Sequence, residues 1–202
     1  MDERAMTAAS EGGDRRVRRT IRAIDEAFLS LMHRKPFAKI TLAEVAHEAD
    51  ISRATFYVYY QDKYAWMEGY LDRLISRMFP RSGPGAVTVG FDEEAGPDQM
   101  AMDALDELDR NFDTYALILR NSGSDLFQRR LKPRIADSVA AVASIEGVGL
   151  SAEQRELIVQ VLSSAMTGAI AWWIEQDRPL GKRELVDTFI SVRRLALELE
   201  SR

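Results

Sequence analysis

Residues 40–63 read ITLAEVAHEADISRATFYVYYQDK, and this order of capping, apolar and small residues predicts two short helices meeting at a tight turn. Thr41 stands where an N-cap belongs, with Glu44 three residues on, the pattern of a capping box. The apolar stripe that follows is Leu42, Val45, Ala46 and Ala49. Asp50 makes the turn; positive φ there suits glycine best, but a short polar side chain tolerates it. Ser52 caps a second short helix that runs to about Tyr59. With small residues Ala46, Ala49 and Ala54 at the crossing, the unit is a helix-turn-helix.

The pattern stays helical on both sides. Upstream, Val17, Ile21, Ile24, Phe28, Leu31 and Met32 recur at steps of three and four and stop before Pro36. Downstream, Asp62 opens a helix reaching about Phe79. Further helices are expected from about Asp98 to Arg120, around Phe127 to Val142 with an interruption near Pro133, from Ala152 to Gln176, and from Lys182 onward. The expected class is all-α, with about nine helices and no strand. The expected organisation is a flexible tail at 1–14, a helix-turn-helix domain at 15–62, a connecting helix at 63–79, a Pro- and Gly-rich linker at 80–97, and a helical domain at 98–202.

Composition closes several functions. The 202 residues include no cysteine and two histidines, His33 and His47, which leaves little for thiol chemistry, a zinc site or a Ser-His-Asp triad. No nucleophile–base pair, phosphate loop or metal constellation can be assembled, so neither enzyme activity nor a cofactor or metal is expected. No stretch reads as long and apolar enough for a membrane helix, and no apolar signal segment opens the chain, so a cytoplasmic protein without a membrane partner is expected. A net charge of −5 argues at first against nucleic acid, yet the charge is unevenly spread. Residues 15–35 carry Arg15, Arg16, Arg18, Arg19, Arg22, Arg34 and Lys35 against Asp25 and Glu26. Residues 1–64 hold 11 basic and 10 acidic side chains, which leaves 16 basic and 22 acidic in the remainder.

A helix entering the major groove meets base edges with short polar groups near its N-terminus, and Ser52, Arg53 and Thr55 fit that description. Arg53 suits a base edge or a phosphate. Tyr57, Tyr59 and Lys63 carry donors suited to phosphate, as does Thr41 at a helix N-terminus, and Arg18 and Arg19 lie where the first helix can approach the backbone.

Residues 15–66 resemble the DNA-binding domain of the tetracycline-repressor-like (TetR) family of bacterial regulators. The resemblance rests on Thr41…Val45-Ala46, Ser52…Thr55-Phe56-Tyr57, Tyr59-Tyr60 and Lys63 in register, and departs at Asp50, where the family usually has glycine. A looser resemblance to one broad TetR subgroup covers Tyr115 to Phe127 and the helix carrying Gly168, Trp172-Trp173 and then Arg178-Pro179. Together the two resemblances imply a homodimer on a palindromic double-stranded DNA operator, with 98–202 as a helical regulatory and dimerisation domain that dimerises through the last two helices and takes an unknown small-molecule effector.

Candidate pocket residues are Tyr70, Leu74, Leu108, Phe112, Tyr115, Phe127, Trp172 and Trp173, each with ordinary core packing as the alternative. The stripe Leu185, Phe189, Val192, Ala196 and Leu199 is either core or dimer face. The acidic row from Asp98 to Asp113 is either a solvated face or the entrance for a cationic ligand. The overall expectation is a ligand-responsive repressor; the alternatives are an activator, or a helical adaptor using the scaffold for protein contacts.

Overall fold

The computed structural model describes residues 3–79, 97–145 and 151–198. In chain order the helices are α1 (Glu3–Arg34), a 3-10 turn (Phe37–Lys39), α2 (Leu42–Glu48), α3 (Arg53–Tyr59), α4 (Lys63–Met78), α5 (Pro97–Arg110), α6 (Phe112–Ile118), a π-helical turn (Leu119–Gly123), α7 (Ser124–Ile145), α8 (Ala152–Glu175) and α9 (Lys182–Glu198). Nine α-helices and no strand are present among the described residues. The chain divides into two compact units after Tyr70, inside α4.

The first unit is organised around Phe28 of α1. Its ring stacks on Trp66 of α4 at 3.8 Å between centroids and lies 6.1 Å from both Phe37 and Phe56. Ile24, Ala27, Leu31, Val45, Ala46 and Met67 complete a closed apolar core, whose burial is the main favourable term. Trp66 Nε1 donates to Asp25 Oδ1 at 2.8 Å, so the buried indole keeps a polar partner. Val17, placed on the stripe by periodicity, is exposed.

In the second unit α7 packs along α8, α5 against α9, and α6 against α8. Leu105, Leu108, Phe112, Tyr115, Phe127, Leu131 and Trp173 fill the interior. The expected single helix from Asp98 to Arg120 is broken. Asn111 leaves helical geometry at φ −114° and ψ 20°, and its side-chain amide donates to the Glu107 carbonyl and carboxylate, both at 3.0 Å. The π turn that follows requires Gly123, because a β-carbon there would lie 2.6 Å from Ile118 Cγ2.

Two other expectations change. The interruption at Pro133 does not occur: α7 continues through it. Pro133 and Arg129, whose carbonyl loses its partner, are both on the exposed side, where water can satisfy the freed group. Helix α1 begins at Glu3, within the segment expected as a tail; extending a helix already nucleated costs little per residue. Of the linker expected at 80–97, only Pro97 lies among the described residues, as the first residue of α5.

Helix α8 corrects the membrane reading. Its 24 residues are long and apolar enough to cross a bilayer, with an 18-residue window of mean hydropathy 1.6. The low polarity has a local account: Leu162, Thr167, Ile170, Ala171, Trp173 and Ile174 are buried in the unit, while Leu157, Val161 and Trp172 on other faces are exposed.

Candidate nucleic-acid interface

The reading unit is held by its own polar contacts. Thr41 Oγ1 accepts from the Glu44 N–H, and Glu44 Oε2 accepts from the Thr41 N–H at 3.0 Å, so the capping box is complete. Glu44 also takes the Lys35 ammonium, and these contacts together lower its pKa to about 2, the Lys35 hydrogen bond contributing most. Arg34 and Ser30 of α1 hold Glu48 at 2.7 and 2.8 Å, tying the far end of α2 to α1. Asp50 turns the chain at φ 51°, and its N–H donates to the His47 carbonyl.

Ser52 caps α3: its Oγ accepts from the Thr55 N–H at 3.0 Å and sits 2.9 Å from Thr55 Oγ1. With Phe56 buried, α3 turns the opposite face outward. Arg53, Ala54, Tyr57 and Val58 are all exposed on it, Tyr57 at 57% and Val58 at 76%. Ser52 and Thr41 are exposed, Thr55 and Tyr59 half-buried. Arg18 and Arg19 are exposed on α1, Arg18 paired with Asp14 one turn earlier at 3.0 Å.

Lys63 departs from its expected role. Its ammonium donates to the carbonyls of Phe37 at 3.0 Å, Ala38 at 2.7 Å and Ile40 at 3.0 Å, which uses all three protons. The head also lies 5.1 Å from the Phe37 ring centroid and 5.5 Å from that of Tyr64. Burial, and secondarily Lys35, lowers its pKa. Lys63 therefore closes the C-terminal end of the 3-10 turn and anchors α4 to it, rather than presenting its charge to a phosphate.

The second unit holds a cavity of about 270 Å³, lined by the end of α4 and by α5, α7, α8 and α9. None of the eight expected pocket residues lines it. Leu74, Leu108, Phe112, Tyr115, Phe127 and Trp173 are buried in packing, Trp172 is 44% exposed, and Tyr70 stacks on Trp66 in the first unit. Four of these aromatics close space on one another: Tyr115 meets Phe127 edge-on at 5.7 Å, and Phe112 meets Trp173 at 6.0 Å. The cavity walls instead carry methionine, alanine and branched aliphatics, with Phe79 and Phe189.

The expected dimer stripe divides as well. Leu185 is buried in its own unit, Phe189 and Val192 line the cavity, and Val192 is 46% exposed. Ala196 belongs to α9, with its side chain outside the description, and Leu199 lies outside the described residues. On α5, Asp106 and Asp109 are taken by the chain's own cations. Lys182 reaches Asp106 at 2.6 Å and Asp109 at 3.1 Å, and Arg178 reaches Asp109 at 2.9 Å. The Arg178 guanidinium also stacks 3.8 Å over the Phe112 ring. Those two carboxylates clamp the α8–α9 turn, where Asp177 and Arg178 both have positive φ, and are not an entrance for a cation.

Residues 24–68 match the model of a family described as bacterial regulatory proteins, tetR family, and residues 96–193 match one described as transcriptional regulator C-terminal region. Together the two matches span well over half of the sequence. The chain belongs to the TetR family of transcriptional regulators.

Solved structures agree in fold. A TetR transcriptional regulator from Streptococcus agalactiae superposes with a TM-score of 0.68 at 22% identity, covering 91% of this chain and 98% of its own. The dihydroxyacetone kinase operon activator DhaS gives 0.62 at 16% identity, over 89% and 97%. RolR in complex with resorcinol gives 0.53 at 16% identity, over 94% and 96%. A search of curated proteins gave no match.

Two features of this TetR-family regulator escaped the sequence reading. Val58 looked like one more apolar helix residue, and only its outward face distinguishes it. On α8, Leu157, Val161, Gly168 and Trp172 fall within about 60° of one another at 100° per residue. Leu157, Val161 and Trp172 are exposed, and a β-carbon added at Gly168 would meet nothing within 4 Å. The spacing was visible in the sequence, but the apolar residues on the other faces of α8 hid it.

Proposed function

We propose that this TetR-family regulator binds a palindromic DNA operator as a homodimer and acts as a cytoplasmic repressor released by a small-molecule effector. The observation that carries the reading is the outward face of α3: Arg53 and Tyr57 supply donors beside the apolar pair Ala54 and Val58, on a helix whose N-terminus is capped by Ser52. Such a face suits base edges in the major groove, with Arg53 directed to guanine and the apolar pair to thymine methyls. Ser52, Thr55, Thr41, Tyr59, Arg18 and Arg19 lie around it as candidate positioning contacts. One such helix reads few base pairs, so two heads about 34–36 Å apart on one duplex face give the required specificity.

The exposed α8 stripe supports the dimer, because a contiguous apolar strip on a helix is stabilised by a partner. Helix α4 supports the response. Trp66 near its start stacks on Phe28, while Met78 at its end lines the cavity. An effector acts to the extent that it favours one setting of α4 over another.

The test is a salt titration of binding to palindromic fragments flanking the gene, against random DNA of equal length. Tighter binding to one palindrome, with a steep fall in affinity as salt rises, is the expected result. Equal affinity for all fragments would overturn the reading. Activation in place of repression is a second reading, favoured by the likeness to a protein described as an operon activator; a reporter that rises with the regulator present would select it.

A further inference from the structure

We infer that the cavity of the second unit takes an uncharged, predominantly hydrocarbon effector; scaled from an apolar cavity of 150 Å³ that admits benzene, about 270 Å³ holds on the order of 11 non-hydrogen atoms. The inference rests on the ligand-responsive reading above and narrows it to a chemical class.

Among the described residues, the walls carry no titratable side chain. Their two hydroxyls are already donating within their own helices, Ser138 to the Arg134 carbonyl at 3.1 Å and Thr188 to the Glu184 carbonyl at 2.8 Å. Each retains lone pairs, so the lining can accept a hydrogen bond from one or two neutral hydroxyls. It offers a ligand carboxylate or phosphate neither a cation nor an uncommitted donor. A charged group moved from water to such a surface loses its hydration without replacement. The α5 carboxylates Asp106 and Asp109 are occupied by Lys182 and Arg178 and do not line the space, so a cationic ligand finds no counter-charge there either. Met78, Met100 and Met166 add flexible thioethers to the wall, which adapt to linear or branched chains more readily than to one rigid outline. The lining is thus matched to an aliphatic alcohol, aldehyde or terpene-like molecule.

The experiment is displacement of the uncharged fluorophore 1-naphthylamine, small enough for the space, from the full chain by decan-1-ol, decanoate and decylammonium. The expected result is displacement by decan-1-ol at least ~50-fold more effective than by either ion of the same chain length. Ala104→Phe and Ala169→Phe, which fill the space, should each abolish displacement; should both fail to fold, the charge series on the unaltered chain still decides. Decanoate or decylammonium matching decan-1-ol would overturn the inference. So would no displacement by any compound, which is also the outcome if side chains of a second copy fill the cavity. Operator binding measured without ligand separates the two readings: intact DNA binding with no decan-1-ol site sinks only the effector class. A decan-1-ol site in a chain that shows no operator preference upholds the site and sinks the regulator.

Discussion

The ammonium of Lys63 donates to the carbonyl oxygen of Ala38 at 2.7 Å, across 25 residues of sequence, and with Phe37 and Ile40 it saturates the end of the 3-10 turn. Lys63→Ala should therefore destabilise the reading unit by about 1.5–3 kcal/mol, the range for hydrogen bonds to a charged group. Because the ammonium is not directed to phosphate, the slope of log affinity against log salt should stay unchanged at temperatures where the variant is folded. A slope reduced by about 1 would return Lys63 to the phosphate contacts.

Arg53→Ala should weaken operator binding by about 1–3 kcal/mol and broaden base preference at one position of each half-site. Selection from a randomised half-site library measures this directly. Uniform weakening with the preference intact would make Arg53 a phosphate contact.

Val58 is 76% exposed one turn from exposed Ala54, and an apolar pair there has thymine methyls as its natural partners in the major groove. Replacing operator thymines by deoxyuridine one at a time removes a methyl and nothing else. At one or two positions the affinity should fall several-fold, with little further loss in Val58→Ala. If no single replacement changes affinity, the apolar pair does not read methyls.

The carboxyl of Glu44 is held at a pKa of about 2 by Lys35 and Thr41, against 4.5 in the absence of those partners. A depressed carboxylate pKa contributes stability that is full above 4.5 and is lost as pH falls towards 2. Glu44→Gln should accordingly flatten part of the acid limb between those values in a melting-temperature profile. Parallel profiles for the two proteins would remove Glu44 from the acid response.

Gly168 shares its face of α8 with exposed Leu157, Val161 and Trp172, and space for a side chain is open there. Gly168→Leu should leave the protomer folded, or stabilise it by about 1 kcal/mol through helix propensity. In sedimentation velocity it should shift dimer towards monomer, as should Val161→Glu. Dimers of undiminished affinity in both variants would place the seam elsewhere.

The reading head was legible because its determinants are local. The Thr41–Glu44 box, the Ser52 cap and the Asp50 turn each involve residues at most three apart, and the structure has all three. The body was less legible. The expected helix from Asp98 to Arg120 breaks at Asn111 because an amide finds Glu107, and the chain turns again at Gly123 because Ile118 leaves no room for a β-carbon. The cavity lies away from the aromatic residues expected to line a pocket for a related reason. Aromatic residues mark burial well, but burial against Phe127 or Trp173 consumes the volume that a cavity needs.

By itself, then, the sequence determined an all-helical chain with a capped helix-turn-helix at its head, since periodicity and capping act over one or two turns. Tertiary structure decided which charges are spent internally, as with Lys63, Arg178 and Lys182, and which faces remain open, as with α3 and α8. It also decided where the apolar body leaves space. These depend on distances between residues remote in sequence, and no local pattern encodes whether a donor is spent or a side chain is covered.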